Sequence, residues 1–142
     1  MIEMFNLLAQ RNNTYKACGG EITESQDFHP IVYVLQDYSE LFEQLSTDGR
    51  DKLKTLLEKN EPEYQVHFII CEEAGNMGIR TVEAWHKKHC AKGNGVFVGS
   101  GIADQYVLKV SGMDRELRKD IPDDFGFVVK NGIHCLCKLV QG

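Results

Sequence analysis

The run Pro30-Ile31-Val32-Tyr33-Val34-Leu35-Gln36-Asp37-Tyr38-Ser39-Glu40-Leu41 decides the fold. Five β-branched, aromatic and aliphatic residues stand together, a polar pair follows, and Tyr38, Leu41, Phe42 and Leu45 then fall at i, i+3, i+4 and i+7. The apolar run predicts a strand buried on both faces, as in a parallel sheet, and the spacing after it predicts an amphipathic helix. Leu53, Leu56 and Leu57 repeat the helical pattern until Glu61-Pro62 stops it, and Val66-His67-Phe68-Ile69-Ile70-Cys71 is a second buried strand.

Upstream, Met4, Leu8, Arg11 and Tyr15 recur at helical spacing with Ile2, Phe5 and Ala9 beside them, which predicts a helix over 2–16. Gly19-Gly20 and the polar run to Asp27 read as a loop. Downstream, a helix is expected from about Ile79 to Cys90, closed by Lys92-Gly93 as a basic last turn and C-cap glycine. Val96-Phe97-Val98 reads as a third strand between glycines, and Ala103–Leu108 and Asp114–Lys119 as short helices. Asn131-Gly132 between two apolar-rich runs predicts a hairpin over 125–139. Strand and helix alternate and a small antiparallel piece ends the chain, so the class is α/β.

At 142 residues the chain is long enough for one domain over 1–142 with its own core. Its 42% hydrophobic and 26% charged residues exclude the disordered and low-complexity classes. No apolar stretch approaches the ~20 residues of a membrane span, and no secretory leader is visible at Met1. Sixteen Lys and Arg against 21 Asp and Glu give a net charge of −5, the wrong sign for a protein that grips a phosphate backbone. A local patch at Arg115, Arg118 and Lys119 is the one feature that favours nucleic acid. Five cysteines, an odd and scattered set, read as reduced thiols of a cytosolic chain, with Cys135 and Cys137 on the same side of a strand.

Several residues carry candidate chemistry. A P-loop needs a Gly-Lys pair to cradle phosphates, and no Gly-Lys dipeptide occurs in the sequence. Gly99-Ser100-Gly101 follows a strand, but Asp104 holds the third glycine position of a dinucleotide fingerprint, which leaves a tight strand-to-helix turn. Glu72-Glu73 follows the second strand, at the carboxyl end where open α/β sheets place functional groups, whereas Cys71 reads as an inert buried thiol. His86, His89 and Cys90 share a helix face and offer metal-ligand types, with His134, Cys135 and Cys137 as the available second set. In the competing reading Ile79, Val82, His86 and His89 form one packed face with the histidines at its wetter edge. Trp85, the sole tryptophan, lies either with Thr81 and Lys88 as an exposed partner-binding anchor or packed against the sheet.

Taken in order, these segments resemble the FtsK/SpoIIIE class of ATPases. Ile31–Leu35 with Gln36-Asp37 is similar to the Walker B strand and the helix after it. Val66–Cys71 resembles the next strand, and Lys92–Gly99 with Asp104-Gln105 the glycine-flanked strand and short polar helix beyond. Ile121–Gly132 resembles the closing proline, apolar strand and glycine. The nearest resemblance, over residues 2–141, is to the C-terminal, third ATPase-like domain of the EssC family of type VIIb secretion coupling proteins. The resemblance implies a RecA-like, P-loop-type three-layer fold that lacks the P-loop half and ends in a small antiparallel hairpin.

It also implies a Walker B-like site at Gln36 and Asp37. Gln36 stands where that class carries an acid, and a neutral amide holds magnesium or its water poorly. The implied function is therefore non-catalytic: recognition of secreted helical-hairpin substrates, assembly, or regulation of the motor. Secreted proteins and neighbouring ATPase domains of the same coupling protein are the implied partners, at the cytoplasmic face of the membrane. Mg-ATP enters only in the parent protein, and no cofactor is expected in the isolated chain. Two alternatives stay open: a fragment of an active ATPase that completes a nucleotide site with residues outside this chain, and a metal-binding domain using His86, His89 and Cys90. A missing central strand would leave the Val66 and Val96 strands with open edges. They are expected to pair directly, to be bridged by self-association with a second chain, or to belong to a longer protein.

Overall fold

The computed structural model describes residues 2–21, 28–112 and 115–140. The chain divides into two compact units, Met1–Glu73 and Ala74–Gly142, and each is described by itself.

The first unit runs α1 (Ile2–Ala17), β1 (Ile31–Leu35), α2 (Tyr38–Gln44), α3 (Thr47–Lys59), a 3₁₀ turn (Pro62–Tyr64) and β2 (Val66–Ile70). The strands pair in parallel from Ile31 opposite Val66 to Leu35 opposite Ile70. Alternation along them sends Tyr33, Leu35, Val66 and Phe68 to one face, where the Tyr33 and Phe68 rings stack at 5.7 Å. Leu8 from α1, Leu56 from α3, Tyr64 and Val66 form the core there. Ser46 caps α3 by accepting the Gly49 amide at 3.2 Å, and Pro62 sits in the first turn of the 3₁₀ segment that follows it.

Both strands were expected to be buried on both faces, and here the structure corrects the sequence reading. Val32, Val34 and Ile69 are 54%, 61% and 52% exposed. An unbroken apolar run has no alternation to read, so it does not reveal which face a strand buries. Most of the polar run expected as a loop, residues 22–27, lies outside the described residues.

The second unit runs α4 (Ala74–Arg80), α5 (Ala84–His89), β3 (Gly95–Val98), 3₁₀ turns at Ile102–Asp104 and Arg115–Arg118, β4 (Phe125–Lys130) and β5 (Ile133–Lys138). The expected hairpin is present: Lys130 pairs with Ile133 around Asn131 (φ 52°) and Gly132 (φ 80°), the two left-handed residues of a type I′ turn. β3 joins it, giving an antiparallel sheet of order β3-β4-β5. Ile102, Leu117, Phe127 and Val129 form the core of this unit, with Phe97, Leu108, Val110 and Ile121 against it.

Four expectations change here. β2 and β3 do not pair directly; each belongs to its own sheet. Phe97 stands opposite Phe127 on the core side, so β3 buries its aromatic as the third strand of the hairpin sheet. The helix expected over 79–90 is two helices, broken at Thr81-Val82-Glu83, where the Thr81 hydroxyl donates to the Gly78 carbonyl at 2.8 Å. Ala103–Leu108 is not a helix beyond Asp104. The Gln105 amide donates to the Ile102 and Leu108 carbonyls and accepts from the Leu108 N–H, taking over backbone groups a helix would pair. At the last expected helix, Arg115–Arg118 is a 3₁₀ turn and Asp114 lies outside the described residues.

Candidate functional site at the strand ends

Parallel pairing of β1 with β2 brings their carboxyl ends side by side, and with them the two polar pairs singled out in the sequence. The ladder continues one step past the strands: the Cys71 N–H donates to the Leu35 carbonyl at 2.9 Å. The Tyr38 N–H, the first of α2, donates to the Cys71 carbonyl at 3.3 Å. Gln36 and Asp37 therefore form a tight strand-to-helix junction. Asp37 takes the left-handed conformation, φ 48° and ψ 55°, and its side chain caps no helix amide.

Glu72 does the capping instead. One carboxylate oxygen accepts the Ser39 N–H at 2.6 Å and the other accepts the Glu73 N–H at 2.8 Å. An anion at the amino end of α2 is favoured by the helix dipole and by orphan amides that α2 cannot satisfy internally. Glu72 thus ties the amino end of α2 to the loop after β2. Gln36, Asp37 and Glu73 are exposed at the same rim. Cys71 is exposed as well, which corrects the expectation of a buried thiol.

The remaining candidates lie in the second unit. Trp85 is 2% exposed, its indole N–H donates to Glu83, and Glu83 also pairs with Arg80 at 3.3 Å. Trp85 is thus buried rather than an exposed anchor. His86 is buried edge-to-face against the Trp85 ring, and burial lowers its pKa below the ordinary imidazole value while Glu83 pulls the other way. Burial likewise raises the Cys90 thiol. His89 is exposed, and among the described residues no three His, Cys, Asp or Glu side chains gather to hold a metal ion. Ile79 and Val82 are 72% and 71% exposed, so the packed face proposed for them with the histidines is not formed.

At Gly99-Ser100-Gly101 both glycines have positive φ, and no helix longer than a 3₁₀ turn follows. The Ser100 hydroxyl accepts the Ile121 N–H at 2.9 Å, tying the turn down. Sequence reasoning missed the Glu72 cap. Its only signal was an acid following a strand adjacent to a strand–helix junction.

These features define an α/β fold with an acidic rim at the carboxyl end of a parallel strand pair and a separate small antiparallel sheet. No protein-family model and no curated protein matches this sequence. Among solved structures, the chain is similar to "The cytoplasmic domain of EssC", with a TM-score of 0.70 and 14% identity over 96% of this chain. The chain spans 26% of that one. At this identity the likeness is one of fold, and at that level the expected EssC-like architecture is borne out. Among the described residues no helix is long and apolar enough to cross a membrane.

Proposed function

We propose that this chain is a non-catalytic, ATPase-like domain of a type VII secretion coupling protein, derived from the RecA-like fold of the FtsK/SpoIIIE class. It works through protein contacts: recognition of secreted helical-hairpin substrates or regulation of neighbouring motor domains. The likeness to the EssC cytoplasmic domain over 96% of this chain carries the reading. The strand ends support its non-catalytic half. The sequence has no Gly-Lys phosphate cradle, Gln36 is neutral, and the Glu72 carboxylate accepts the Ser39 and Glu73 amides.

Two measurements test it. Calorimetric titration of the chain with Mg-ATP is expected to give no micromolar binding, and micromolar binding would overturn the non-catalytic reading. Deleting the coding segment is expected to stop export of helical-hairpin proteins by type VII secretion, and Asp37→Asn is expected to restore it fully. Asparagine keeps the left-handed conformation while removing the charge. Export that survives the deletion would remove the secretion role, and failure of Asp37→Asn to restore it would assign the carboxylate catalytic work.

A further inference from the structure

Cys135 and Cys137 alternate with Leu136 along β5, an edge strand, and so point to the same face of the sheet. Their sulfurs are 3.9 Å apart, the Cys137 thiol donating to Cys135, and both are free thiols. Opposite Cys137 on β4 stands Gly126, over which the Leu139 side chain lies; opposite Cys135 stands Val128. The same face carries Val96 and Val98 of β3, 55% and 62% exposed. Cys135 is exposed and Cys137 half-buried on this face, whose strand positions are otherwise apolar except for Lys130, opposite Ile133; among the strand residues described there, none is a carboxylate or an imidazole.

We propose that Cys135 and Cys137 form a binding site for a soft, thiophilic cation, with cuprous copper as the ion that fits. Thiolate sulfur selects soft ions, copper(I) and zinc foremost. A tetrahedral ion held at about 2.3 Å would space two sulfurs by roughly 3.8 Å; a two-coordinate copper(I), which prefers a near-linear S–Cu–S, takes the pair once the exposed Cys135 side chain swings outward to widen it. Ligand number decides between them. Zinc requires four ligands, whereas no third His, Cys, Asp or Glu joins this pair among the described residues. Cuprous copper is satisfied by two sulfurs. On binding, two S–H bonds break, both protons leave to solvent and two S–Cu bonds form; copper stays Cu(I), so no electron changes hands. The thiol–thiol hydrogen bond must break in the process, and binding releases both thiol protons. Affinity accordingly rises with pH.

The test is anaerobic titration of the full chain with copper(I) in competition with bathocuproine disulfonate, with zinc as a parallel arm. One copper per chain is expected. Cys135→Ser and Cys137→Ser are each expected to weaken binding by at least about a hundredfold, the upper end of what losing a mere outer-shell partner costs. Cys71→Ser is expected to leave it unchanged. A second measurement needs no variant: phenylarsine oxide, which bridges paired thiols, is expected to add once across Cys135 and Cys137 by peptide mass spectrometry and to block copper uptake. Copper binding undiminished in the double Cys135→Ser, Cys137→Ser variant would overturn the proposal. So would stoichiometric zinc binding that excludes copper, or an arsenical adduct elsewhere with copper uptake intact.

Discussion

Arg11 shows how one side chain organises the first unit. It is 7% exposed, and its guanidinium donates to the Tyr64 carbonyl at 2.6 Å, the Gln65 carbonyl at 3.1 Å and the His29 carbonyl at 2.9 Å, with the Phe28 ring 4.9 Å beneath it. Those carbonyls lie just before β1 and β2, so one planar fork joins the starts of both strands to α1. Helical spacing placed Arg11 on the packed face of α1, and that much was legible. Its role was not, because the principal partner lies 53 residues away and is a backbone atom of no particular residue type. Arg11→Ala leaves three carbonyls without their charged donor, at roughly 1–3 kcal/mol for a buried group left unpaired. The variant is expected to lose about 3 kcal/mol in urea denaturation followed by circular dichroism. Arg11→Lys, with a single ammonium in place of a fork, is expected to recover less than half of that. Near-wild-type stability in Arg11→Ala would remove the clamp.

At the scale of elements, the helix pair α4 and α5 shows where pattern reading fails. One uninterrupted helix would align Ile79, Val82, His86 and His89. The break at Thr81-Val82-Glu83 shifts the phase, so that Trp85 and His86 turn inward while Ile79 and Val82 face out. Glu83 takes the extended N-cap conformation at φ −71° and ψ 146°, and its carboxylate joins Arg80 on one side of the break to the Trp85 indole on the other. Thr81 and Val82 are only weakly unfavourable in a helix, so no single residue announced the break. Trp85→Ala is expected to destabilise the chain by about 3–5 kcal/mol, as deletion of a large buried aromatic does. Trp85→Phe keeps the ring, loses the N–H donor to Glu83, and is expected to cost about 1–2 kcal/mol. Urea midpoints by far-UV circular dichroism measure both. An Ala variant of wild-type stability would return Trp85 to the role of surface anchor.

For the whole molecule, both strands of the parallel pair, the hairpin with its Asn131-Gly132 turn, and helices α1, α2 and α3 were legible, because strong local periodicity and turn chemistry agree with the fold there. What was not legible depends on long-range choice: which face β1 and β2 expose, and that β3 pairs with the hairpin rather than with β2. The strand-end site was half legible, since residue types marked Gln36, Asp37, Glu72 and Glu73 while only the parallel register shows them adjacent. The buried His86 links this packing to solution behaviour. Its folded-state pKa lies below the ordinary value of about 6.5, so between the two values the unfolded chain binds more protons than the folded one. Stability from neutral His86 is complete above the unfolded pKa and is lost as pH falls from about 6.5 toward the folded value. The slope for one proton is at most about 1.4 kcal/mol per pH unit. Urea denaturation at pH 7.5 and 5.5 is expected to show a larger loss for wild type than for His86→Gln, whose side chain does not titrate. Groups common to both proteins cancel in that comparison, and equal losses would show that His86 is not held neutral by its packing against Trp85.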